Sequence, residues 1–112
     1  MESKTLKVGN GNLWKGLRPI PGKLYLTETV LHHVPNFSAF HRTERTVELE
    51  DVGNVEIGTT MAYGFIPLPN EIRVTLKDGE VLKYIVNGRK KWKKAIDEAA
   101  GLTEAGLYDK SV

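Results

Sequence analysis

Lys83-Tyr-Ile-Val-Asn-Gly-Arg-Lys-Lys-Trp-Lys-Lys94 is the stretch on which the reading of this chain turns. It opens as the end of a strand, turns at Asn87-Gly88 and continues as the first half of a helix. Spacing carries the helix: Trp92, Ala95, Ile96 and Ala99 stand at i, i+3, i+4 and i+7 and form one apolar stripe. Asn87 is the candidate N-cap, and Gly101 is a natural stop. The stretch holds six basic residues and no acidic one. Arg89, Lys90 and Lys91 fall at the helix N-terminus, while Asp97 and Glu98 lie further along. A helix dipole prefers the reverse order by roughly 0.3–1 kcal/mol per exposed charge. Stability alone would not select this pattern. A helix start already attracts anions, and added cations strengthen the attraction. The competing reading is a solvated face whose Lys stems cover apolar surface.

Working back from the helix, the segments are short and strand-like. Glu71–Lys77 and Val81–Val86 read as a hairpin around Asp78-Gly79. A three-residue connection over Asp78–Glu80 pairs Leu76 with Leu82, Val74 with Tyr84 and Ile72 with Val86, which gives one apolar face. Lys83 then points to solvent. Further strands are expected at Leu13–Arg18, Lys23–Thr27, Thr29–Val34, Thr46–Glu50 and Val55–Thr60. Pro19-Ile-Pro-Gly22 reads as a break, and Asp51-Val-Gly-Asn54 as a connection. About seven strands and one C-terminal amphipathic helix predict a mainly β barrel or sandwich plugged by the helix. Trp92 is the natural plug, because it buries the most area. Residues 1–8 read as a flexible arm, 9–101 as the domain and 102–112 as an extension.

Composition bounds the function. A chain of 112 residues fits one domain with a real core. There is no cysteine, so disulfides, thiolate metal sites and a Cys nucleophile are excluded. No apolar run approaches a transmembrane span, and the N-terminus lacks the apolar core of a signal peptide. A cytoplasmic location, with peripheral membrane association, is the expectation. The net charge of +2 is too small to argue for nucleic acid. Its distribution is uneven: residues 1–23 carry five basic groups and one acidic, and residues 24–57 carry two basic and six acidic. Separate positive and negative surfaces are expected.

Several runs together resemble a GRAM domain. Lys15-Gly16, with Gly22-Lys-Leu-Tyr-Leu-Thr27, resembles its start, and Val47-Glu-Leu-Glu-Asp-Val52 with Val55 its middle. Gly64-Phe-Ile-Pro67 and Ile72-Arg-Val-Thr-Leu-Lys-Asp-Gly79 resemble its next strand pair. Tyr84-Ile-Val-Asn-Gly-Arg-Lys-Lys-Trp92 and Ile96 resemble its closing strand and helix. Bacterial stand-alone GRAM proteins are the most similar. The resemblance implies a pleckstrin-homology-like (PH-like) fold of two nearly orthogonal antiparallel sheets capped by the helix. It further implies a non-enzymatic intracellular module that binds lipid or protein. The chain departs from the family pattern at His32 and His33 and over Asn36–Arg45.

Two candidate sites follow. The anion set is Lys15, Arg18 and Lys23 from the first strands with Lys83, Arg89, Lys90 and Lys91 from the last strand and helix. The family's lipid-binding relatives favour the first three, although the Pro-Ile-Pro-Gly connection supplies no cation of its own. The partner-contact set is the apolar loop Met61–Pro69, with Met61, Tyr63 and Phe65 at its front. It supports a second reading: a protein adaptor or self-associating protein using this loop or an open sheet edge. His32 and His33 point to opposite faces of a strand, and His41 with Glu44 lacks further ligands, so no metal and no cofactor are expected. No catalytic motif is present. Expected partners are a protein or an anionic lipid surface, with self-association left open.

Overall fold

The computed structural model describes residues 4–15, 18–36, 44–62 and 64–102. The elements are β1 (Thr5–Lys15), β2 (Arg18–Thr27), β3 (Val30–Pro35), β4 (Arg45–Glu48), a short 3-10 turn (Leu49–Asp51), β5 (Val52–Ala62), β6 (Ile66–Leu76), β7 (Val81–Val86) and α1 (Arg89–Ala100). The strands are antiparallel in the order β4-β3-β2-β1-β7-β6-β5. The two halves of the expected barrel are thus one hydrogen-bonded sheet, curled into a half-barrel and joined where Gly11–Trp14 of β1 pair with Lys83–Val86 of β7. Its edges are β4 and β5. The 3-10 turn connects them along the chain, and Arg45 of β4 donates two hydrogen bonds to Glu80 beyond the β6 end, at 2.9 and 2.8 Å.

Alternation makes the core. Leu24, Leu26, Leu31, Val47, Val55, Ile72, Val74, Leu82, Tyr84 and Val86 are buried and line the inner face. The helix closes this face with Trp92 (2 % exposed) and Ile96 (fully buried). It packs against β5, β6, β7 and the 3-10 turn. Gly9 on β1 makes room for the indole: a Cβ there would stand 3.3 Å from Trp92 Cζ2. At its end the helix stops as expected, with Gly101 at φ 75° and the Leu102 N–H reaching the Asp97 carbonyl at 2.7 Å.

Several expectations are corrected. The N-cap is Gly88, in the left-handed region at φ 73°, and Asn87 makes no capping bond. The β6–β7 register is Val74 with Leu82 and Ile72 with Tyr84, two residues away from the expected pairing. A shift of two keeps every side chain on its face, so the apolar face is right and only the partners change. The reason is Gly79, at φ 99°. A three-residue hairpin loop places its left-handed residue last, which makes the loop Lys77-Asp78-Gly79. Residues 5–8, expected in an arm, run in β1 and pair with β2. Pro19 and Pro21, expected to break the chain, lie in β2 opposite Trp14 and Asn12. There β3 has already ended at Pro35, opposite Gly22, so β2 has a neighbour on one side only and tolerates proline. Of the extension, Leu102 packs on the core and residues 103–112 lie outside the described set.

One histidine is part of the core. His33 is 1 % exposed and its Nε2 donates to the Gly11 carbonyl at 2.9 Å. Nδ1 is buried without a partner among the described residues. Burial lowers its pKa from 6.5, more than the Gly11 bond raises it. The folded state therefore prefers neutral His33. The stability it supports is complete above 6.5 and is lost as pH falls below that value, by up to about 1.4 kcal/mol per pH unit. Urea denaturation at pH 7.5 and 5.5 should show a larger acid loss for the native chain than for His33→Gln, which retains a donor for Gly11 and does not titrate. Equal losses would mean that His33 protonates freely in the fold. Trp92→Ala should cost about 3–5 kcal/mol by the same method, as a core truncation.

Candidate anion-binding face

The outer face of the sheet bears a row of opposed residues: Trp14 on β1, Lys83 on β7, Arg73 on β6 and Glu56 on β5. Opposed residues on one face lie about 4.5–5.5 Å apart at Cβ. Lys83 is exposed, and its Nζ stands 5.9 Å from the centre of the Trp14 ring, a cation–π geometry. Arg73 pairs with Glu71 at 3.0 Å (Nε to Oε2). Glu71 is 5 % exposed and also accepts from Thr60 Oγ1 at 3.3 Å. Gly58 provides the space: a Cβ there would lie 2.9 Å from Glu71 Oε2 and 3.0 Å from Arg73 Nη2.

Arg89 reaches the same glycine from the helix. Its Nη1 donates to the Gly58 carbonyl at 2.6 Å, with Thr59 Oγ1 at 3.4 Å. It thereby satisfies an acceptor on the open β5 edge. Lys90 and Lys91 follow on the helix, both exposed, and the first turn contains no acidic residue. The structure thus joins Lys83, through Arg73 and Gly58, to Arg89, Lys90 and Lys91. Arg73 does not stand out in the sequence, because Glu71-Ile-Arg73 reads as ordinary strand alternation. Nor does Lys7. Its Nζ lies 5.1 Å from the Trp92 ring, on the one indole that the core uses.

The remaining cations are separate. Lys15 and Arg18 are paired at the β1–β2 end. Lys23 is exposed opposite Asn10, four residues along β1 from Trp14, or roughly 13 Å at strand rise. The acidic expectation has a counterpart at the far end of the helix. There Glu28, Glu48 and Glu50 line a cleft of about 360 Å³ with Ala99 and Ala100. His32 pairs with Glu44 at 2.8 Å, and His41 lies outside the described residues. Among the described residues no cluster of metal-ligating side chains is present. No helix of the described residues is long and apolar enough to cross a membrane. In the partner-contact set, Met61 and Phe65 are 52 % and 72 % exposed, and Tyr63 lies outside the described residues.

No family model and no curated protein matches the chain. Solved structures do. The C-terminal domain of an unknown protein from Leishmania infantum aligns with TM-score 0.72 and 14% identity, covering 88% of this chain and 84% of that one. A Slm1-PH domain, described as binding ligand in a non-canonical site, aligns with TM-score 0.68 and 11% identity over 87% and 98%. The Vps36 N-terminal PH domain gives 0.63 and 14% over 88% and 80%. At these identities the likeness establishes a PH-like fold and nothing finer.

The geometry divides the helix cations by task. Arg89→Gln should lower stability by about 1 kcal/mol through loss of a charge-assisted bond at a half-exposed position. Lys90→Gln and Lys91→Gln should leave it unchanged or slightly raised, since the dipole conflict eases. Chemical denaturation of the three single variants checks this, and three equal effects would contradict it.

Proposed function

We propose that this chain is a GRAM-type, non-enzymatic binding module that associates with anionic membrane surfaces through the face formed by Lys83, Arg89, Lys90 and Lys91. The observation carrying the reading is that Arg73 and Arg89 both reach Gly58, Arg73 at its open Cβ position and Arg89 at its carbonyl, so that the strand cation and the helix cations share one neighbourhood. Lys83, Lys90 and Lys91 remain exposed beside them. The PH-like fold adds weight, because Slm1-PH domains of that fold are described in complex with phosphoserine and with inositol-4-phosphate. Each cation near such a surface contributes about 1 kcal/mol, so the face as a whole gives moderate, reversible attraction. Lys15 and Arg18 at the β1–β2 end, with Lys23 further along β2, are secondary cations in this reading. A bacterial, cytoplasmic protein that visits the membrane periphery fits this reading.

The second reading is a protein adaptor using the exposed apolar tip of Met61 and Phe65. Salt separates the two. Cationic attraction weakens over the Debye length, about 10 Å at 0.1 M and 3 Å at 1 M, whereas apolar contact does not. Co-sedimentation with vesicles containing phosphatidylserine should show binding at low salt that falls steeply at moderate salt. Lys83→Gln with Lys90→Gln and Lys91→Gln should abolish most of it. Absence of binding at any salt would remove the membrane reading and leave the adaptor.

A further inference from the structure

The β5–β6 hairpin is longer than the sheet that supports it. On β6, β7 pairs only with Glu71–Thr75, so the described residues of 59–70 have no sheet neighbour but each other. This projection coincides with the charge-free run Ile57–Asn70, 14 residues in a chain that is 27% charged. Gly64 at the turn is six residue steps from Gly58, roughly 20 Å at strand rise.

The apolar side chains of this projection do not share a face. Leu68 and Ile66 stand opposite Thr60 and Ala62 on one side, and Met61 stands opposite Pro67 on the other. Phe65 is at the tip, 72 % exposed. A protein groove covers one face of a ribbon; a medium that is apolar in every direction suits all three. Pro67 and Pro69 also carry no N–H that would need a partner away from water. At the root the charge is positive, with Arg73 and Arg89 at Gly58 and Lys90 following on the helix. Of the two carboxylates there, Glu71 is buried beneath Arg73, and Glu56 is exposed.

We infer that the hairpin tip enters the interfacial layer of an anionic bilayer, Phe65 leading, while the cations at its root face the lipid phosphates. This rests on the membrane reading above and supplies its apolar component. An insertion of about 5–10 Å, usual for interfacial elements, leaves the root backbone about 10–15 Å from the phosphates, one to two Debye lengths at physiological salt, a gap that the long Arg and Lys side chains shorten. The tip and the cations therefore act together on one surface.

The absence of native cysteine allows a clean test. Met61→Cys carrying an environment-sensitive fluorophore should shift to the blue on phosphatidylserine vesicles and be quenched by shallow nitroxide lipids. Met61→Ser with Phe65→Ser, both at exposed positions, should keep the native denaturation midpoint and lose about ten-fold or more in vesicle affinity. Salt-dependent binding of the native chain with equal affinity for the double-Ser variant and an unshifted fluorophore would overturn the insertion and leave the cationic face standing. Equal native binding to neutral and anionic vesicles, lost in the Ser variant, would retain the hairpin and sink the cationic face. A blue shift that rises with protein concentration before any lipid is added would mean that a second copy covers the tip, and would overturn the proposal.

Discussion

The seating of Trp92 against Gly9 is the contact on which the rest of this structure depends. A seven-stranded sheet that curls without closing leaves its inner face open between β4 and β5. The helix is what covers it. Burying an indole removes about 150–250 Å² from water, or roughly 4–6 kcal/mol at 25 cal/mol per Å². The unfavourable charges at the helix start oppose this by a few tenths to about 1 kcal/mol each. Packing therefore outweighs the dipole conflict, and a helix whose first turn is entirely basic still forms. Helices in proteins are generally held this way, by an apolar face and not by propensity.

Once packing holds the helix, its charges are free for other uses, and the structure shows them divided. Arg89 is committed to a carbonyl on the β5 edge, and Lys93 to Asp97 one turn on. Lys83 leans over an indole. Lys90 and Lys91 make no internal pair among the described residues and stand in solvent. A run of like charges in a sequence thus resolves into structural cations and available ones. The acidic cleft at the other end of the helix makes the surface polar in the electrostatic sense, a field that would draw an anion towards the helix start.

Alternation and spacing made most of the fold legible. The Ile72-Val74-Leu76 and Leu82-Tyr84-Val86 faces, the helix stripe and its glycine stop need only local periodicity. What was not legible depended on neighbours. Pro19 and Pro21 look like strand breakers until the early end of β3 frees one side of β2. His33 looks like a surface histidine until the curl of the sheet brings it to the Gly11 carbonyl, two strands away. The hairpin register was readable in principle, since the left-handed residue of a three-residue loop comes last and Gly79 is that residue. Charge counting points to the cationic candidates but cannot see a paired arginine such as Arg73.

Gly58 shows why fold and candidate site are hard to separate here. A side chain at this position would displace Glu71, the carboxylate paired with Arg73. It is also the residue whose edge carbonyl receives Arg89, and so fixes where the helix begins relative to β5. Just beyond it the β5–β6 pairing shifts register, and the supported sheet gives way to the projecting hairpin. The absence of one Cβ therefore allows a carboxylate to be buried with Arg73 against it, while the same residue's carbonyl receives Arg89 and an apolar ribbon starts just beyond. A substitution at Gly58 acts on all three at once, so a loss of membrane affinity there would not identify which part was responsible. Substitutions at the exposed ends, Lys90 on one side and Phe65 on the other, separate charge from apolar contact because neither side chain supports the fold.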